Sequence, residues 1–94
     1  MITLTLHTDP GHGWLEVPGF LLRALASEDE VSASSYYDKK ADTFYLEEDC
    51  DAALVARPLR AMEGEGTYTV LDVQVSYRED TFVRKLPHCW EGGA

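Results

Sequence analysis

The sequence predicts an α+β domain: a largely antiparallel sheet with two helices packed on one face. Three observations predict it. Stretches with the period-two alternation of strands occur in neighbouring pairs, as hairpins do. Two stretches with helical spacing separate those pairs, giving the order β-β-α-β-β-α-β-β. Of the 94 residues 45% are hydrophobic and ten are aromatic, enough for a small core of one domain over residues 1–94.

The elements follow in chain order. Ile2, Leu4 and Leu6 alternate with Thr3, Thr5 and His7, the pattern of a half-buried strand. Asp9-Pro10-Gly11-His12-Gly13 is dense turn chemistry, and Trp14-Leu15-Glu16-Val17 reads as the returning strand. Pro18 suits the start of a helix carrying Phe20 to Ala26, with Phe20, Leu21 and Leu25 on one face. Ser27-Glu28-Asp29-Glu30 ends it in an acidic loop. Val31–Tyr37 and Asp42–Glu47 form a hairpin around the polar turn Asp38-Lys39-Lys40-Ala41. An aspartate of Glu48-Asp49-Cys50-Asp51 caps the second helix, whose spacing runs from Ala52 to Met62. Pro58 kinks or splits that helix at Arg57, and Gly64 and Gly66 terminate it. Tyr68–Tyr77 is the clearest strand, with Val73, Val75 and Tyr77 on one side. Glu79-Asp80 turns the chain, and Thr81–Leu86 returns as its partner, stopped by Pro87. The tail, residues 91–94, is expected to fray.

Charge narrows the function. With 17 acids against 8 bases the net charge is −9, and such a chain repels phosphates. Direct binding to nucleic acid or to an anionic membrane is therefore not expected. Residues 1–51 hold 11 acids and 3 bases, and residues 52–94 hold 6 and 5, so nearly all the excess lies in the first half. From Glu28 to Asp51 nine acids (Glu28, Asp29, Glu30, Asp38, Asp42, Glu47, Glu48, Asp49 and Asp51) face only Lys39 and Lys40. Two readings stay open: a solvated face, or a surface for a basic protein partner. In the second, rows of carboxylates copy phosphate spacing, and Tyr36 and Tyr37 supply exposed aromatic anchors.

No motif establishes a reaction, so no catalytic residue and no cofactor is assigned. His7, Asp9 and His12 sit near one turn and are the alternative metal ligands, with Cys50, His88 or Cys89 as further donors. Their spacing matches no zinc pattern, and a metal needs three or four converging ligands. Glu47-Glu48-Asp49-Cys50-Asp51 lacks the oxygen spacing and central glycine of an EF-hand loop. His88-Cys89 is a possible base and nucleophile, but adjacent side chains point apart. Gly11 and Gly13 lack the rest of any phosphate-binding motif. The chain start has no basic, apolar leader and no run long enough to span a membrane, and two cysteines 39 positions apart make no disulfide framework. These features lead to an expectation of a cytoplasmic protein with reduced thiols.

The segments Thr8-Asp9-Pro10-Gly11-His12-Gly13-Trp14-Leu15-Glu16-Val17-Pro18 and Tyr45-Leu46-Glu47-Glu48-Asp49-Cys50-Asp51-Ala52 resemble those of small acidic proteins carried by bacterial plasmids and phages. Such proteins are similar in kind to anti-CRISPR proteins, some of which act as DNA mimics. The resemblance implies an inhibitor in the bacterial cytoplasm, bound to a basic nucleic-acid-binding surface of a CRISPR-Cas effector, type I Cascade foremost. The acids named above, with Tyr36 and Tyr37, are its implied contacts. The alternatives are a metal-binding module or metal-dependent enzyme using His7, Asp9 and His12, and an assembly protein of a mobile element.

Overall fold

A computed structural model of the chain describes residues 2–63, 68–75 and 82–89. Strands β1 (Ile2–Thr8) and β2 (Gly13–Pro18) form the first antiparallel pair, followed by helix α1 (Gly19–Leu25). Strands β3 (Tyr36–Asp38) and β4 (Thr43–Glu47) form the second pair, followed by helix α2 (Ala53–Glu63) and strand β5 (Tyr68–Val75). Short 3₁₀ turns occupy Glu28–Glu30 and Phe82–Lys85. The five strands make one sheet in the order β3-β4-β2-β1-β5. β2 joins the two hairpins by pairing antiparallel with β4, and β5 runs parallel to β1 at the edge. The class is α+β, with an antiparallel four-strand body.

The strand pleat sends alternate side chains to two different layers. On one side Leu4, Leu15, Val17, Phe44 and Leu46 meet Leu22 of α1 and Val55 and Leu59 of α2. Both helices therefore pack on one face, as predicted. Each fully buried leucine or valine there contributes about 1.5–3 kcal/mol. On the other side Trp14, Tyr36 and Tyr45 surround Val83 from the second 3₁₀ turn.

That second layer corrects the predicted last strand. Thr81–Leu86 is not a β-partner of β5, since Phe82–Lys85 is a 3₁₀ turn. Its apolar residues, Phe82, Val83 and Leu86, are spaced for a helical turn rather than by twos. The aromatic face of the sheet needs a cover, and Val83, with no exposed surface, supplies it. Among the described residues the order thus ends in one strand, β5, rather than two. The predicted turn Glu79-Asp80, the terminators Gly64 and Gly66, the side-chain faces of β5 with Tyr77, and the tail lie outside the described residues.

Other expectations shift locally. The third strand is short: Val31 to Ser35 form a loop, because Ser32 and Ser35 bond to Asp51 instead of entering a ladder. Asp51 does not cap α2 with its side chain; its carbonyl accepts the Leu54 N–H. The Ser27–Glu30 stretch is a 3₁₀ turn held by a capping box, Ser27 bonding the Asp29 N–H and Glu30 bonding the Ser27 N–H. Phe20 stands 74% exposed, and Leu22 fills the core position expected of it. Helix α2 runs unbroken through Pro58. Pro58 is its sixth residue, so one bond to the Leu54 carbonyl is lost while Val55 and Leu59, four apart, stay buried on the core side.

A polar clasp locks α1 to the second hairpin. Asp42 takes a positive φ of 48°, a backbone state that aspartate tolerates, and its carbonyl accepts the Gly19 N–H at 2.7 Å. Its carboxylate takes a two-pronged contact from Arg23 at 2.7 and 2.8 Å and the Tyr37 hydroxyl at 2.8 Å. Those two donors hold the Asp42 carboxyl down at about 2, Arg23 contributing most. A Cβ on Gly19 would run into the Asp42 carboxylate. Gly19→Ala is therefore expected to destabilise the fold by about 1–3 kcal/mol through displacement of that carboxylate. Urea unfolding measures it; a change within about 0.3 kcal/mol would show that the clasp relaxes freely.

Candidate functional site

The acids of residues 28–51 divide into two sets. The first set is consumed by the fold. Asp51, 3% exposed, accepts the Ser32 N–H, the Ser32 hydroxyl at 2.8 Å and the Ser35 hydroxyl. Glu47, 5% exposed, accepts the Asp49 and Cys50 N–H groups at 2.9 and 2.8 Å. Asp42 belongs to the clasp, and Asp38 closes the β3–β4 turn by accepting from the Lys40 and Ala41 N–H groups. Glu28 pairs with Arg23 at 2.7 Å, and Glu30 accepts in the capping box. The second set is Asp29, Glu48 and Asp49, exposed residues whose carboxylates accept no hydrogen bond from the described residues.

The Asp51–Ser32 bonds bring the two acidic stretches together, since Glu28–Glu30 lies just before Ser32 and Glu48–Asp49 just before Asp51. Burial first, then the charges of Asp51 and Glu28, push the Cys89 thiol up to about 11. The predicted anchors are corrected: Tyr36 is buried at 6% and Tyr37 is half-buried, donating to Asp42. Tyr36 lies on the sheet face that Val83 covers, while Tyr37 points to the helical side. Neither is an exposed aromatic.

A cleft of about 330 Å³ opens beside Glu47 and Asp49. Its walls include Trp14, Tyr36, Arg84, His12 and His88. Arg84 lies over the Trp14 ring, 4.9 Å from its centroid, and donates to both carboxylate oxygens of Asp9. Asp9 also accepts the Gly11 and His12 N–H groups, so one buried carboxylate shapes the β1–β2 turn and holds the guanidinium. Tyr36 and His88 stack at 4.1 Å, and Trp14 meets Tyr36 edge-on at 5.8 Å. Trp14, Ser34 and Arg84 are not legible as site residues in the sequence: Arg84 and Asp9 are 75 positions apart, and no local motif joins them.

The metal alternative is corrected. His7 is 2.8 Å from Glu16 and packs between Tyr45 and Phe82, so its ring is engaged there. Asp9 is engaged by Arg84, and His12 stands beside Glu47 at 3.6 Å. Among the described residues no group of three or more His, Cys, Asp or Glu side chains is placed to hold a metal ion. His88 and Cys89 point to opposite sides, His88 onto Tyr36 and Cys89 into the helix-side core.

Cys50 is exposed and Cys89 buried, and neither forms a disulfide. The Cys89 thiol ionises near 9 when unfolded and at about 11 when folded. Its contribution to stability is therefore intact below pH 9 and is lost as the pH rises towards 11. Native protein at pH 8 is expected to take one equivalent of a thiol reagent, at Cys50, and a second only on unfolding. Rapid double labelling in native buffer would contradict the burial of Cys89.

No helix among the described residues is long and apolar enough to cross a membrane. No protein family, curated protein or solved structure matches the chain.

Proposed function

We propose that this protein binds another protein, docking its exposed carboxylates on a basic nucleic-acid-binding surface and blocking it. The observation that carries the proposal is the division of the acids. The fold consumes six of the nine acids between Glu28 and Asp51 and leaves Asp29, Glu48 and Asp49 on two stretches drawn together by Asp51. Carboxylates fixed on a folded frame match the arginine forks that otherwise hold phosphates. Association driven by such charges is fast and salt-sensitive. The resemblance to small acidic proteins of mobile elements makes a CRISPR effector, type I Cascade foremost, the first target to test.

The test is charge reversal where the fold does not depend on the charge. Glu47 is unsuitable, because a lysine there would break the bonds to Asp49 and Cys50 rather than test docking. Asp29→Lys with Glu48→Lys is expected to keep the fold and to weaken capture of the purified effector tenfold or more in low salt. Capture unchanged by the double reversal would remove the docking reading.

A further inference from the structure

We infer that β5 is an interface between two copies of this chain, its outer edge pairing antiparallel with the same strand of a second copy to join two five-stranded sheets into one.

Three observations carry the inference. The first is the contrast between the two edges of the sheet. β3 is an edge of only three residues, and residues 87–89 close it. Tyr37 donates its N–H to the Pro87 carbonyl at 2.9 Å, Tyr36 makes a bridge to His88, and Cys89 donates to the Ser35 carbonyl just before the strand. β5 is eight residues long, and among the described residues only β1 pairs with it. A long edge presents a row of N–H and C=O groups that another strand satisfies.

The second is composition. Tyr68-Thr69-Val70-Leu71-Asp72-Val73-Gln74-Val75 is rich in strand formers and holds a single charge, Asp72. It has no lysine or proline of the kind that keeps edges apart. A bulge at Leu71 interrupts the ladder, since Leu4 pairs with Val70 and Thr5 with Asp72. Residues 72–75 beyond the bulge are still a longer run than the whole of β3.

The third is where the charge lies. A net charge of −9 on each chain holds copies apart unless they meet at a nearly neutral place. Nine of the 17 acids fall between Glu28 and Asp51, and the strands of that stretch, β3 and β4, stand at the far end of the sheet from β5. Residues 52–94, which include β5, hold 6 acids against 5 bases. Pairing through β5 therefore keeps the acid-rich ends apart, whereas pairing through β3 would bring them together. A second copy also supplies a strand of matching length and twist, and a two-fold contact closes at two copies.

The test is the oligomeric state of the full chain, measured by sedimentation equilibrium over roughly a hundredfold range of concentration at two salt levels. A monomer–dimer equilibrium is expected. It tightens as salt rises, because screening weakens the repulsion between two acidic chains. Docking on a basic partner moves the other way. Deuterium exchange at the two ends of the range places the contact: β5 amides are expected to slow about threefold or more at high concentration, and β3 amides to stay unchanged. Thr69→Lys with Gln74→Lys adds the charge that natural edges use against pairing, and is expected to leave a folded monomer. If that variant fails to fold, exchange in the unaltered chain decides. A monomer at every concentration, a dimer whose added protection lies away from β5, or a folded double-lysine variant that dimerises as tightly as the unaltered chain each overturns the inference.

Discussion

Asp51→Ala is expected to lower the unfolding free energy by about 3 kcal/mol. The Asp51 carboxylate is the single acceptor for two hydroxyls and a backbone N–H, and Ser35 beneath it has no exposed surface. Hydrogen bonds to a charged acceptor contribute about 1.5–3 kcal/mol each, and donors left buried without an acceptor add a desolvation cost. The effect does not reach the sum of three bonds, because water can enter the alanine cavity and serve some of the donors. For a chain of this size about 3 kcal/mol corresponds to a fall in melting temperature of roughly 12–24 °C. Ser35→Ala removes one donor to Asp51 and the acceptor of the buried Glu47 N–H, and is expected to cost about 1–2 kcal/mol. Urea denaturation of the two variants checks the ranking. Equal effects, or an Asp51→Ala change below about 1 kcal/mol, would show that the bonds are incidental to the fold. The same substitution is expected to loosen the 31–35 loop from the 48–51 segment, so it also weakens any property that depends on the two acidic stretches being adjacent.

Asp9→Ala is expected to cost about 2–3 kcal/mol. Removing one member of a buried ion pair costs about 3–5 kcal/mol when the surviving charge is stranded. The Asp9 side chain is wholly buried, but that of Arg84 is 28% exposed, so solvent screens part of the loss. The turn loses the acceptor for the Gly11 and His12 N–H groups as well. Asp9→Asn keeps an acceptor for those two groups and is expected to recover about 1 kcal/mol of the deficit. Chemical unfolding of both variants provides the measurement; identical losses would mean that the charge, and not the turn, accounts for the whole effect.

These two aspartates mark the boundary of what the sequence shows. Ile2 to Leu6 was legible from strict alternation, and Thr43 to Glu47 from its run of strand-forming residues between turn segments, since that strand is buried on both faces. The helices were legible from spacing, although the face of α1 was misplaced onto Phe20. Phe20, Leu21 and Leu22 are consecutive, and in so short a helix only the tertiary contact chooses among them. The last segment misled because Thr81, Phe82 and Val83 are strand formers, yet the aromatic face of the sheet demanded a cover. No local pattern reports a demand made by residues 70 positions away. The charge excess was legible, but its division was not: a carboxylate that caps a turn and one that meets solvent are the same letter. Asp9, Asp42, Glu47 and Asp51 were separated from Asp29, Glu48 and Asp49 only by their partners. The cleft was invisible for the same reason, since its walls come from the β1–β2 turn, β3, β4 and the chain near Arg84.

The central claim is that exposed carboxylates occupy a surface that nucleic acid would otherwise use. It is tested most directly by competition on a purified type I effector complex carrying its guide. Duplex target is titrated with and without this protein, at two salt concentrations. Mutually exclusive binding is predicted, with the protein's apparent affinity falling as salt rises and falling again in the Asp29→Lys, Glu48→Lys variant. A ternary complex in which the effector holds target DNA and this protein together at full affinity would contradict the account.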